Sequence, residues 1–217
     1  MGKKLKKLKF LITAGGTREY IDPVRFISNA SSGQMGYALA QAAIDAGHNV
    51  VLVTAPTNLE EPKGAKIVRV ETSSEMFEAV KRHFDNCDVL IMAAAVSDFA
   101  PVKVSKTKIK KSNHSLTITL KPTIDILSWA GSKKEHQFVV GFALEDKAVL
   151  DRAAKKLESK NADMIIANTP AAIGSPRSQV TILTRNYILQ LPTASKAVTA
   201  RKLISVCLSK FEIQNRR

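Results

Sequence analysis

The chain has 217 residues, 45% of them hydrophobic, and its 33 lysines and arginines outweigh 19 acidic residues for a net charge of +14. That is globular composition, enough for one large domain or one domain with an arm. It offers neither the roughly 18–20 residue apolar run of a membrane span nor, with only Cys87 and Cys207, a disulfide framework or zinc cage.

The basic start, Lys3-Lys4-Leu5-Lys6-Lys7, leads into an apolar stretch too short for a secretory leader, and Lys6 breaks the myristoylation pattern that Met1-Gly2 opens. The expected setting is cytoplasmic. Lys9–Thr13 reads as a buried strand entering the glycine turn Gly15-Gly16-Thr17. After an irregular stretch, Ser31-Ser32-Gly33 opens an amphipathic helix that stops at Gly47, with the serines as candidate N-caps. Asn49–Thr54 is a second buried strand and Lys66–Val70 a third. Ser73–Phe84 is helical, with Met76, Phe77, Val80 and Phe84 on one face, and Asp88–Ala93 is a fourth strand.

The pattern then changes. From Val102 to Leu120 the chain is lysine-rich, and Leu116–Leu120 alternates with period two, as in an antiparallel hairpin with one wet face. Phe138–Phe142 returns to a buried strand, Lys147–Ser159 to a helix and Met164–Ala167 to a strand. Gln179–Thr184 and Tyr187–Leu191 resemble a hairpin, and Thr193–Lys210 a last amphipathic helix. Strands that are continuous apolar runs, alternating with helices, argue for a parallel sheet covered on both faces. The expectation is one doubly wound, Rossmann-like α/β domain over residues 1–217, with an inserted β-hairpin arm at about 99–122.

Basic residues gather in the N-terminal tail, at Lys103, Lys106, Lys108, Lys110 and Lys111, at Arg152, Lys155, Lys156 and Lys160, and at Arg216-Arg217. These are solvated faces, a nucleic-acid surface or the wall of a pocket for a polyanion. No zinc finger, RNP aromatic pattern or helix-turn-helix accompanies them, and basic charge alone decides nothing among the three; a pocket for small anionic substrates, with neither nucleic acid nor membrane as partner, gains only with the glycine loops that follow.

In doubly wound sheets, ligands sit beyond the carboxyl ends of the strands. Here the first strand-to-helix loop is about twice the usual two to six residues. Gly-x-Gly-x-x-Gly is absent and no acid follows Val53-Thr54-Ala55, which argues against a nicotinamide dehydrogenase. Ser32-Gly33-x-x-Gly36 can bind an anion through backbone N–H groups or simply start a closely packed helix. The loop's Arg18, Glu19, Asp22, Arg25, Asn29, Ser31 and Ser32 imply a ligand or a polar network of the loop's own. Arg25 can fork onto a carboxylate or phosphate. Asn29 can donate and accept at a ligand, or serve as a left-handed turn residue. The small residues of Ala93-Ala94-Ala95-Val96-Ser97-Asp98 let a base or ribose approach. Asp98 can hold ribose hydroxyls, base amino groups or a metal, or make an Asx-turn. Lys108 on the arm can close over a triphosphate or guard an edge strand. Lys156 and Lys160, four apart on one helix face, can grip phosphates or remain solvated. No histidine has metal-ligand spacing, and Cys87 reads as a packed thiol.

The run Gly15-Gly16-Thr17-Arg18-Glu19, with Ile21-Asp22-Pro23-Val24-Arg25-Phe26-Ile27-Ser28-Asn29-Ala30-Ser31-Ser32-Gly33-Gln34-Met35-Gly36, resembles bacterial phosphopantothenoylcysteine synthetase. Ala93–Phe99, Lys108–Lys111, Gly141–Glu145 and Asp163–Asn168 follow in that family's order, so the resemblance runs from about Phe10 to Arg185. It implies a ligase of coenzyme A biosynthesis that joins 4′-phosphopantothenate to L-cysteine. CTP would activate the carboxylate as an acyl-cytidylate, releasing pyrophosphate and then CMP, with Mg²⁺ as cofactor and unknown metal ligands. An ATP-dependent version of the same ligase is the first alternative, and a nucleotide-dependent oxidoreductase and a nucleic-acid-binding domain are the more distant ones.

By the same resemblance Asn29 contacts the acyl-nucleotide and Arg25 helps hold phosphopantothenate. Lys108 serves the cysteine-dependent half-reaction, and Ser31, Ser32 and Gly33 lie beside phosphates. The nucleotide pocket would use Gly15, Ala93, Ala94, Asp98, Lys108, Ile124, Asp125, Ile126, Leu127, Phe142, Lys156 and Lys160. The arm would pair two subunits in a homodimer. The chain is too short to hold the flavin-dependent decarboxylase often fused to this unit, so it is expected to stand alone, with a separate decarboxylase as a possible associate. It departs from the family at Thr123-Ile124-Asp125-Ile126, where Asn-Pro-Asp-Ile is common, and at Ile173–Arg177, which is less acidic than usual.

Overall fold

A computed structural model describes residues 7–144, 147–169 and 174–214. The basic residues Lys3, Lys4, Lys6, Arg216 and Arg217, together with Glu145 and Ile173, therefore lie outside the described residues.

The first half runs β1 (Lys9–Ala14), β2 (Arg18–Tyr20), β3 (Phe26–Ser28), α1 (Gln34–Asp45), β4 (Asn49–Thr54), β5 (Ala65–Arg69), α2 (Ser73–Phe84) and β6 (Val89–Met92). The second continues with β7 (Phe99–Pro101), β8 (Leu120–Pro122), α3 (Ile126–Lys133), β9 (Phe138–Leu144), α4 (Val149–Ser159) and β10 (Met164–Asn168). It closes with β11 (Arg177–Ser178), β12 (Thr181–Thr184), β13 (Tyr187–Gln190), β14 (Ala194–Ser195) and α5 (Lys196–Gln214).

Eight strands form one sheet in the order β13-β12-β10-β9-β6-β1-β4-β5. From β5 to β10 every pairing is parallel, and β12 and β13 add an antiparallel edge. The parallel strands thus take the 3-2-1-4-5-6 order of the dinucleotide-binding folds, with its switch point between β1 and β6.

Strand alternation explains why both faces need cover. Phe10, Ile12 and Ala14 point to one face, as do Val50 and Leu52, Val89 and Ile91, Phe138 and Val140, and Met164 and Ile166, all packed with α1 and α5. Leu11, Val53, Leu90, Val139 and Ile165 point to the other, against α2, α3 and α4. Each such aliphatic side chain contributes about 1.5–3 kcal/mol on burial, so the double winding is driven from both sides.

The structure corrects four expectations. The N-cap of α1 is Gly33, in a left-handed conformation with φ of 76° and no side-chain cap; Ser31 Oγ instead accepts the Gly33 N–H at 3.4 Å, from two residues before the cap position. Leu116–Leu120 forms no strand of its own: only Leu120–Pro122 pairs with Phe99–Pro101, so the arm is a hairpin at its base alone. An isolated pair of strands has too little to bury in water to extend further. Helix α3 stands where no helix was read, and β2 and β3 make a small hairpin inside the long loop. Among the described residues no helix is long and apolar enough to cross a membrane.

Candidate functional site

The loops after β1 and β6 diverge at the switch point and are sewn together by buried threonines. Thr13 Oγ1 accepts the Ala94 N–H at 3.1 Å, and Thr17 Oγ1 accepts the Ser97 N–H at 2.9 Å. The Ala95 N–H donates to the Gly15 carbonyl at 2.8 Å, and Thr123 Oγ1 donates to the Ser97 carbonyl at 2.6 Å, bringing in the chain that leads to α3. These bonds make three separate segments into one rigid floor.

Above that floor opens a cleft of about 890 Å³ at the carboxyl ends of the strands. A void of about 960 Å³ lies at the other end of the sheet, beside Leu8, His48 and His136, which precede β1, β4 and β9. The carboxyl-end rule for open α/β sheets selects the former.

One wall of the cleft is Asn29, Ser31, Ser32 and Gly33. The rest of the polar loop is consumed by its own network. Glu19 Oε1 accepts the Ser73 N–H at 2.8 Å at the start of α2, and the Arg18 guanidinium lies 4.6 Å over the Phe26 ring. Asp22 bonds Arg25. Asn29 donates its amide to the Val96 carbonyl at 3.1 Å and more weakly to Ala95 at 3.4 Å, which fixes the nitrogen end of the side chain. The left-handed reading of Asn29 does not hold: the described non-glycine residues with positive φ are Ala148 and Asn161. Gly36 lets α1 reach the floor, since a Cβ there would lie 2.6 Å from Ala14 Cβ.

Ala93 and Ala94 line the floor and Asp98 the rim. Ile124, Asp125, Ile126 and Leu127 bring the start of α3 to the cleft. Asp125 caps that helix, with Oδ1 accepting the Ser128 N–H at 2.8 Å, despite the departure of Ile124 from the family's proline. Its Oδ2 pairs with Lys160 Nζ at 2.8 Å. Burial pushes the Asp125 pKa up, but the Lys160 and Ser128 hydrogen bonds and the charges of Lys160 and Lys156 outweigh it, so it titrates below the ordinary carboxylate range. Lys156 Nζ donates to the Phe142 carbonyl at 2.7 Å, which places Phe142, Lys156 and Lys160 at one end of the cleft. Together these supply an apolar and backbone-rich slot, an asparagine and a cationic end.

Three expected residues are not among those lining the cleft. Gly15 is buried against the loop after β4, where a Cβ would meet the Ala55 carbonyl at 2.8 Å. Arg25 is turned toward Asp22 and the arm, and Lys108 is exposed on the arm itself. Conversely, Asn168 at the end of β10, Gly174 and Lys196 line the cleft without having been singled out. The position of Asn168 at a strand's carboxyl end was the available signal; Lys196 was one lysine among many. Burial pushes the pKa of Lys196 down.

Among the described residues no group of three or more His, Cys, Asp or Glu side chains forms a metal cage. Mg²⁺ commonly uses one or two carboxylates with substrate phosphates, and Asp98, an exposed carboxylate on the rim, fits that use.

The fold, with its cleft at the switch point, places the chain in the doubly wound α/β class. The chain belongs to the family described as the DNA/pantothenate metabolism flavoprotein C-terminal domain, whose pattern matches residues 5–210. It is 45% identical over 192 residues to the coenzyme A biosynthesis bifunctional protein CoaBC of Bacillus subtilis, covering 86% of this chain and 47% of that protein. The crystal structure of the C-terminal domain of a CoaBC protein superimposes with a TM-score of 0.84 at 39% identity, covering 96% of this chain and 97% of that one. Cab2, in a complex with phosphopantothenate-cysteine, shares the fold at a TM-score of 0.77 and 18% identity, covering 96% of this chain and 88% of its own. The chain spans about half the length of the curated relatives it matches.

Proposed function

We propose that this chain is a phosphopantothenate–cysteine ligase that uses CTP. The observation that carries the reading is the cleft at the switch point, which gathers Asn29, Asp98, the start of α3, Phe142, Lys156 and Lys160 around one nucleotide-sized space. Family membership and the likeness to CoaBC proteins support the substrate class. CTP rather than ATP is taken from the bacterial character of residues 15–36.

In the first step a carboxylate oxygen of 4′-phosphopantothenate attacks the α-phosphorus of CTP; the new P–O bond forms as pyrophosphate leaves. In the second the cysteine amine attacks the acyl carbon, an amide forms, CMP departs and the amine loses a proton. The protein's part is to hold two anions in register and to neutralise charge. The small-residue floor at Ala93 and Ala94 receives the base or ribose, Lys156 and Lys160 face the phosphates, and Asn29 holds the acyl-nucleotide. Lys108 meets negative charge in the second step. Mg²⁺ would screen the triphosphate, with Asp98 as its protein contact. The proposed assembly is a homodimer joined through the arm, whose ligated product passes to a decarboxylase.

The test is pyrophosphate release with phosphopantothenate, Mg²⁺ and either CTP or ATP, with and without cysteine. Release with CTP, and CMP with ligated product only once cysteine is present, is expected. Release with ATP alone would replace the nucleotide assignment, and silence with both would reject the ligase. Asn29→Ala should lower ligation about a hundredfold or more, the scale of losing one positioned polar group, while its melting curve stays that of the parent. Ligation at the parent rate would remove Asn29 from the mechanism.

A further inference from the structure

Asp22 lies outside the cleft, yet its side chain is fully buried while that of its partner Arg25 is 44% exposed. Its carboxylate has no idle oxygen. Oδ1 accepts the Val24 and Arg25 amides at 2.8 and 2.9 Å, and Oδ2 accepts Arg25 Nε at 2.9 Å as well as Arg25 Nη2. Oδ2 also accepts a bond from far along the chain, the Ile109 N–H at 3.1 Å. Arg25 Nη2 then donates to the Ile109 carbonyl at 2.7 Å. The acidic and basic partners therefore hold both backbone groups of one arm residue, as a neighbouring strand would. A second stitch is close by, from the Ser105 N–H to the Ile21 carbonyl at 2.9 Å.

We infer that Asp22, acting with Arg25, is a positioning residue: it clamps the arm at Ile109 and thereby sets the place of Lys108, the adjacent residue. The inference rests on the ligase reading for what Lys108 does, and on geometry alone for the clamp. Between Val102 and Thr119 the arm has no described strand to order it, so side-chain anchors must take that part. Arg25 is then occupied by the arm rather than free for a substrate, and its importance to a reaction would run through the position of Lys108. The Arg25 guanidinium holds the Asp22 carboxyl well below its ordinary range against the opposing effect of burial, so the clamp stays charged at neutral pH.

Asp22→Asn separates the clamp from the turn. One oxygen still accepts the Val24 and Arg25 amides, while an NH₂ group now faces the donors of Arg25 and Ile109. Amide hydrogen exchange at Ile109 and tryptic cleavage after Lys108 read the clamp without reference to activity; each should quicken at least tenfold, with an unchanged far-UV spectrum. In the ligase assay kcat should fall tenfold or more with the KM for the nucleotide unchanged, because the cleft residues are untouched. Combined with Lys108→Ala, Asp22→Asn should cost nothing further. Unchanged Ile109 exchange would overturn the clamp. Faster exchange with unchanged kcat, or equal losses in the presence and absence of Lys108, would overturn the positioning role. A parent protein without ligase activity would reject the functional reading, and the exchange data would still decide the clamp.

Discussion

His48 accepts the Leu8 amide N–H on Nδ1 at 3.2 Å, and its ring lies 5.4 Å from that of Phe10. A ring nitrogen that accepts a hydrogen bond must be unprotonated, so this contact exists only in the neutral form. Burial pushes the His48 pKa down, and the nearby Lys7 adds to this against the pull of Asp88. His83 is lowered in the same way, first by burial and then by Lys66 and Arg82. In the unfolded chain both titrate near the free value of about 6.5. Above that pH neither state is protonated and the groups contribute no pH dependence. As pH falls below it, the unfolded chain takes up protons that the native chain refuses, and stability drops until the depressed native pKa is passed. Melting temperature should therefore hold level above the free histidine pKa of about 6.5 and decline as pH falls below it. His48→Gln, which keeps an acceptor but cannot titrate, should flatten part of that slope; an equal slope in the variant would show that His48 is not responsible.

Elements differed in how plainly they could be read, for physical reasons. The parallel strands were legible because a strand buried on both faces must be apolar throughout, and Asn49–Thr54 falls where that reasoning put it. Helix α2 was equally plain: its one apolar face coincides with a Thr72–Glu75 capping box. Helix α3 was hidden because eight residues that include Ser128, Gly131 and Ser132 carry little intrinsic helix signal. What holds it is tertiary: a Cβ on Gly131 would come within 1.8 Å of the Lys160 carbonyl, so the glycine is the condition for α3 to pack on the end of α4. The cleft was legible in the same measure. Its floor and α1 wall came from the glycine and alanine loops, whereas Asn168 and Lys196 depended on strand ends and helix placement that no local pattern gives. Asp125 ties these levels together, as cap of α3 and partner of Lys160. Asp125→Ala should cost about 1 kcal/mol as a lost N-cap, a fall of about 2–4 °C in melting temperature for a chain of this size. Asp125→Asn, which can still cap, should recover most of it. Equal losses in the two variants would assign the effect to the Lys160 pair instead.

At the scale of the whole molecule the arm is what a single chain leaves unfinished. Phe99, Val102, Val104 and Leu116 are each more than half exposed, along a segment whose strands pair only at its base. A structureless stretch of this length inside a compact domain is uncommon unless it serves a function, and exposed apolar residues gathered on it call for a covering surface. A second copy of the same arm is the simplest cover, because a two-fold contact needs only one self-complementary patch. Such a contact would also bring together two sets of Lys103, Lys106, Lys108, Lys110 and Lys111, in a chain already carrying +14. Apolar burial and like-charge repulsion then oppose one another, and their balance depends on screening, since the Debye length falls from about 30 Å at 0.01 M salt to about 8 Å at 0.15 M. The proposed homodimer should accordingly strengthen as salt rises, the reverse of an assembly held by ion pairs, and strengthen again when a triphosphate neutralises the lysines. Sedimentation equilibrium at the two salt concentrations reads this directly: twice the chain mass is expected at the higher one, with a growing monomer fraction at the lower. Replacing residues 102–119 by a short Gly-Ser turn between β7 and β8 should leave the sheet folded and the protein monomeric at both. A dimer that survives this replacement, or weakens with added salt, would place the contact elsewhere on the molecule.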